Sequence, residues 1–380
     1  MRIGLLLYGD LSTVSGGFLY DRLLADYLRS QGDEVEVVSL PWRAWARGLM
    51  DNLSARLLER LSRASWDVLL QDELAHPSLF WLNRRLKARA RYPLVAIVHH
   101  LRCREPRPAW QNGLYRRVER RYLASVDAFI CVSETTRADA EALVGPGRPG
   151  LVANPGGDRL PGTLIPEEVA ARAREPGPLK IMFVGNVTPR KELHTLLAAL
   201  ARLPREDWTL TVAGGLNLDP AYVRRIRRQL AQEGLGSRVT LQGPRGDRAL
   251  SRELMNSHVL AVPSSYEGFG IVYLEGMRFG LPAIGGSHGA AREIITPGRD
   301  GFLVPPGDAA ALAPCLAQLA GDRELLTRLS LTALKAAQGH PTWRAAGAAI
   351  HRFLHELVAG RQAAAPGGPG LRRRRALGGC

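Results

Sequence analysis

Paired cysteines are missing from this sequence. The 380-residue chain has four, Cys103, Cys131, Cys315 and Cys380, scattered and with no C-x-x-C spacing. Neither a disulfide framework nor a cysteine zinc site is suggested. Long apolar runs are missing too: runs such as Leu94 to Val98 and Ile181 to Val184 are strand-length, against the roughly 18 residues a membrane span needs. The opening run from Met1 to Tyr8 is too short for a secretory signal and stops at Gly9-Asp10, which predicts a cytoplasmic protein. The first turn, Gly9 to Gly17, holds no G-x-G-x-x-G, so it is not a dinucleotide fingerprint. No RNP, helix-turn-helix or zinc-finger pattern appears, which argues against nucleic acid as a partner. No Asp-x-Asp stands at a strand end, so neither a metal nor another cofactor is called for. Acidic side chains are the scarcer sign, 36 against 51 basic, for a net charge of +15. That excess fits an anionic ligand, an anionic membrane surface or nucleic acid, and does not choose among them.

What is present is a rhythm. Strand-like runs at Ile3–Tyr8, Val35–Leu40, Val68–Leu70, Leu94–Val98 and Ala128–Val132 alternate with helix-like stretches such as Tyr20–Gln31 and Ala55–Ala64. The rhythm repeats at Lys180–Val184, Thr209–Ala213, Val239–Leu241, Val259–Val262, Ala283–Gly285 and Phe302–Val304. This βαβα pattern predicts an α/β chain of two doubly wound parallel sheets facing each other across a cleft. Gly145 to Gly177 has the Pro/Gly composition of a linker, so the domains fall at 1–165 and 178–340. A helix over 341–359 follows, and 360–380, with Arg372 to Arg375, lacks a core-forming pattern and is expected to be disordered. Residues 84–121 hold 12 basic and 2 acidic side chains. Arg84, Arg85, Lys87, Arg89 and Arg91 open that patch, an electrostatic dock for an anionic membrane surface or a solvated cationic face.

One stretch organises the rest. Val259–Val262 reads as a buried strand, Glu267-Gly268-Phe269-Gly270 as a glycine-punctuated turn, and Ile271 to Phe279 as a helix. Such a turn exposes backbone N–H groups at the positive end of a helix dipole, which suits a phosphate. Glu267 and Glu275 bracket the turn at a separation of about 10 Å, the span from a sugar across a pyrophosphate to a ribose. Other strand ends carry polar groups where open sheets bind ligands. Arg190 and Lys191 follow Lys180–Val184, with Asn186 between. His99 and His100 follow Leu94–Val98, and Gly16-Gly17 follows the first strand. Arg238 precedes Val239–Leu241 and is weighed between a base contact and a plain strand-entry residue. Ser133 is read as a helix cap.

The string from Pro263 to Met277 resembles the E-x7-E signature of the retaining glycosyltransferases of family 4, which have the GT-B fold of two Rossmann-like domains. The resemblance is strong from about Lys180 to Pro305 and in outline only before that. It implies that a hexose moves from a nucleoside diphosphate sugar, UDP-, GDP- or ADP-linked, to an acceptor hydroxyl with no metal required. It assigns the donor sugar to Glu267 and the ribose to Glu275. Arg190 and Lys191 would meet the diphosphate, with Asn186 where the family typically has Arg. His99 would lie near the reacting sugar. Gly16, Gly17, Gly268, Phe269, Gly270 and Arg238 would line the donor pocket, and Glu293 would lend structural support. Family members that glycosylate lipid-linked acceptors carry a basic patch on the first domain, which predicts peripheral attachment to the inner face of the membrane. A nucleotide-sugar epimerase of the same fold and a non-catalytic basic surface-binding protein are the alternatives.

Overall fold

The computed structural model describes residues 1–13 and 15–364. Two six-stranded sheets carry the chain, and every strand pair is parallel. The first holds β1 (Arg2–Tyr8), β2 (Glu34–Leu40), β3 (Val68–Asp72), β4 (Leu94–Val98), β5 (Ala128–Cys131) and β6 (Gly150–Val152), in the order β2-β1-β3-β4-β5-β6. The second holds β7 (Leu179–Val184), β8 (Trp208–Ala213), β9 (Val239–Gly243), β10 (Val259–Val262), β11 (Ala283–Gly286) and β12 (Gly301–Val304). Its order is β12-β11-β10-β7-β8-β9, the doubly wound order in which the chain reverses between β7 and β10. Helices cover both faces of the central strands, so β3, β4, β5 and β10 are buried throughout; β4, β5 and β10 read as unbroken apolar runs, and β3 does so until Gln71 and Asp72 at its carboxyl end. Edge strand β2 is exposed on one side and alternates Glu-Val-Glu-Val instead.

The stretch read as a linker is only partly one. β6 and a helix over Pro166–Arg174 lie inside Gly145–Gly177. The three residues of β6 are too short to stand out by composition; pairing with β5 makes them a strand. The first helix starts at Gly16, not Tyr20, because Ser15 caps it by accepting from the Phe18 amide. Gly16 and Gly17 are therefore helical rather than part of a loop. The last described helix runs Trp343–Ala364 and returns to the first domain. There Trp343 meets Tyr20 edge-on at 5.7 Å, and a Cβ on Gly347 would sit 2.5 Å from the Tyr27 ring. The remaining tail, with its four arginines and Cys380, lies outside the described residues. No described helix is long and apolar enough to cross a membrane.

Candidate active site

In an open parallel sheet, side chains that follow strands gather at the carboxyl edge, and ligands bind where the strand order reverses. In the second sheet that point lies between β7 and β10. The segment after β7 forms a single 3-10 turn over Pro189–Lys191, and Glu192 then takes a left-handed conformation with φ of 53°. A non-glycine residue holds that conformation only when its surroundings enforce it. Here the Glu192 carboxylate accepts from Thr195 Oγ1 at 2.8 Å and from the Gly307 amide at 2.6 Å. The kink aims both preceding cations at the segment after β10. Lys191 Nζ lies 2.5 Å from Glu267 Oε1, and Arg190 Nη1 lies 3.3 Å from Glu267 Oε2. Arg190 also donates to the Tyr266 carbonyl at 2.8 Å, and its own carbonyl accepts from the Ser265 amide at 2.9 Å. Glu267 is pinned from the far side, since its carbonyl accepts from the Ala290 amide at 2.8 Å.

The charges in this cluster depend on one another. Burial alone would raise the Glu267 carboxyl, yet Lys191 and Arg190 bring it down to about 2. Burial also lowers the Lys191 ammonium and outweighs its attraction to Glu267. Glu267 is thus a fixed anion rather than a proton carrier, and Lys191 is a buried cation with a strong demand for negative charge.

The first sheet brings His99 to the same place. Gly268 presses so closely on the end of β4 that a Cβ there would lie 1.9 Å from the His99 carbonyl oxygen. A Cβ on Gly17 would stand 3.2 Å from the His99 ring. His99 Nε2 lies 3.1 Å from Asp21 Oδ1, while Glu73 Oε2 accepts from the His99 and His100 amides at 2.8 and 3.1 Å. Burial would lower the His99 imidazole, but Asp21, with Asp72 and Glu73 behind it, holds it up at about 9. His100, its neighbour, pairs with Glu105 at 2.9 Å. Asp21, Asp72 and His99 also lie close enough to share a cation.

Further contacts close the two domains over the site. Ser133 Oγ donates to the Gly268 carbonyl at 2.7 Å, and Tyr266 Oη to Asp139 at 2.6 Å. Glu293 accepts from the Glu134 and Thr135 amides at 3.0 and 2.7 Å, at the positive start of the helix Glu134–Val144. Ser133 is the cap of that helix and bonds across the domains as well.

Some residues expected at the site stand elsewhere or are spent differently. Arg238 lies before β9, at the amino edge of the sheet, and donates to the Trp208 and Glu206 carbonyls at 2.9 and 3.0 Å. It holds strand entries together far from the ligand edge. Phe269 is buried against the His340 ring at 5.8 Å, so its side chain is core. Asn186 Oδ1 accepts from the Gly215 amide at 3.0 Å, tying the ends of β7 and β8 together. Gly270, with φ of 101°, makes the left-handed entry to the short helix Ile271–Met277. Glu275 is buried in that helix, and its Oε1 receives Arg159 Nε at 2.8 Å and Nη2 at 2.7 Å. Arg159 also pairs with Asp247. It lies in the stretch assigned to the linker and was not anticipated. Asp21 was missed as well; a helix acid facing inward carries no local signal of its partner.

Two family models cover most of this architecture. Residues 19–156 match the glycosyl transferase 4-like domain, and residues 165–335 match glycosyl transferases group 1. Each half of the chain thus carries a glycosyltransferase domain. A D-inositol 3-phosphate glycosyltransferase from Nocardia farcinica is 29% identical over 289 residues, covering 70% of this chain and 63% of that relative. The chain therefore spans less than two thirds of that relative's length. Among solved structures, sucrose-phosphate synthase from Thermosynechococcus elongatus superposes with a TM-score of 0.78 at 22% identity, over 94% of this chain and 99% of its own. The Anabaena protein HepE in complex with UDP-glucose superposes with a TM-score of 0.72 at 20% identity, over 95% and 100%. These likenesses show the GT-B fold.

Proposed function

We propose that the chain is a retaining glycosyltransferase that moves a hexose from a nucleoside diphosphate sugar to an acceptor hydroxyl. The observation that carries this reading is the Glu267–Lys191–Arg190 cluster at the switch point of the second sheet, beside His99 of the first. As the bond from the anomeric carbon to the diphosphate breaks, negative charge grows on the leaving oxygen, and Lys191 and Arg190 offset it without a divalent ion. Glu267 then accepts from sugar hydroxyls, and Glu275 Oε2, the oxygen not used by Arg159, accepts from a vicinal diol. Glu267 stays ionised and cannot shuttle a proton. The acceptor O–H therefore attacks the anomeric carbon while its proton passes to the departing phosphate oxygen on the same face, leaving a glycoside and a nucleoside diphosphate.

A panel of UDP-, GDP- and ADP-hexoses tests this, with nucleoside diphosphate release and the anomeric configuration of the product as readouts. UDP-glucose comes first, since HepE has been solved with it. Release with one donor and retained configuration is expected. Inverted product contradicts the retaining assignment, free epimerised sugar without an acceptor indicates an epimerase, and no binding of any nucleotide sinks the proposal.

The acceptor side is proposed to dock on an anionic membrane. Arg84, Lys87, Arg89 and Arg91 stand exposed, although Lys87 reaches Asp127 at 2.7 Å. Arg85 differs: it is half-buried, donates to the Asn52 carbonyl and lies over Trp81. Trp81 and Trp110 add exposed aromatic surface at 46% and 71%. Changing Arg84, Arg89 and Arg91 together to alanine should weaken binding to phosphatidylglycerol vesicles by about 10²-fold, at about 1 kcal/mol per basic residue. Equal sedimentation with neutral and anionic vesicles would remove this part.

A further inference from the structure

We propose that Asp33, His351 and His355 form a binding site for one divalent transition-metal ion, with zinc the best fit, that staples the terminal helix to the first domain. The two histidines sit four residues apart on the helix Trp343–Ala364, a spacing that puts both rings on one face. Asp33 lies in the turn between the helix Gly16–Ser30 and β2. The His351 and His355 Nε2 atoms are 3.1 Å apart, and His351 Nε2 is 3.2 Å from Asp33 Oδ2. Ligands at about 2.0–2.1 Å from a tetrahedral zinc stand about 3.3 Å from one another, so this spacing approaches a coordination edge.

Hydrogen bonding does not account for the cluster. His351 Nε2 carries at most one proton and cannot serve both neighbours. Asp33 Oδ2 forms no hydrogen bond, although the Asp33 side chain is only 3% exposed. A buried carboxylate oxygen without a donor is costly, and a shared cation removes that cost for all three groups at once. Asp33 Oδ1 is held by the Met1 nitrogen at 2.6 Å, which fixes the direction of Oδ2, as partners outside the coordination sphere do at metal sites. The His rings are inclined at 67° with centroids 4.4 Å apart, so they converge at their tips instead of stacking. Two imidazoles and one carboxylate favour zinc, nickel, copper or cobalt over magnesium or calcium. His355 is exposed, so a water completes the tetrahedron from outside. The site lies where the returning helix packs on the first domain, and the ion would act on that docking rather than on the nucleotide.

The test uses the full chain, tag removed and stripped with chelator. Zinc titration by calorimetry should show one saturable equivalent. Zinc should also raise the melting temperature by several degrees, reversibly with EDTA, and cobalt(II) should give the visible absorption of a tetrahedral complex. His355→Ala, a change on the surface, and Asp33→Asn should each weaken zinc binding at least 10-fold and remove the cobalt signal while nucleotide binding stays intact. Absence of one-equivalent binding in the wild type, or undiminished binding in both variants, overturns the proposal.

Discussion

Replacing Glu267 with glutamine is expected to lower kcat/KM by about 10²- to 10³-fold, the usual loss for a preorganised electrostatic group. The amide nearly keeps the shape and removes the charge. Lys191 then loses its 2.5 Å partner and Arg190 its second contact, so the donor sugar loses an anchor and the two cations lose their aim. Stripping the partner from a buried ion pair also destabilises by about 3–5 kcal/mol, so a fall in melting temperature should accompany the kinetic loss. The pH dependence gives an independent check. The folded Glu267 carboxyl lies at about 2, below its unfolded range. Its contribution is therefore full above the unfolded value of about 4.3 and is lost as pH falls through about 2. The gap between wild-type and variant stabilities should narrow over that window. A variant with unchanged kcat/KM would remove Glu267 from the donor site.

The second large effect concerns His99 and the acid that positions it. His99→Ala should cost about 10²-fold in kcat/KM, the scale of a misplaced reacting group. Asp21→Asn separates position from charge. With the imidazole raised to about 9, His99 remains protonated across neutral pH, and its stabilising contribution fades as pH rises from about 6.5 through 9. Removing the Asp21 charge lowers that value, so the alkaline limb of the kcat/KM profile should move to lower pH. A purely structural Asp21 would lower activity evenly and leave the limb in place.

Much of this site could be read before any coordinates, for a topological reason. A parallel doubly wound sheet delivers whatever follows its strands to one edge, so Lys191 and Glu267 can be read as facing one ligand site although β8 and β9 intervene; their direct ion pair at 2.5 Å is not legible in that rule. The same rule explains the error at Arg238. It precedes a strand, and residues that precede strands gather at the opposite edge. Partner choice was hidden because it is tertiary. Nothing local links Asp21 to His99 or Arg159 to Glu275, and the left-handed turn at Glu192 depends on an amide 115 residues further on. Gly268 was legible as a turn glycine, but the reason no side chain fits there, the His99 carbonyl of the other domain, was not.

The central claim is that Lys191 and Arg190 hold the diphosphate. Calorimetric titration of wild type and Lys191→Ala with UDP, GDP and ADP tests it most directly, with the matching nucleoside monophosphate as control. One diphosphate should bind the wild type with a clear preference over its monophosphate. Lys191→Ala should lose affinity by about 10- to 100-fold, the scale of a charge-assisted hydrogen bond, and the preference for the diphosphate should collapse with it. Equal affinity for both proteins, with the preference intact in Lys191→Ala, would contradict the assignment.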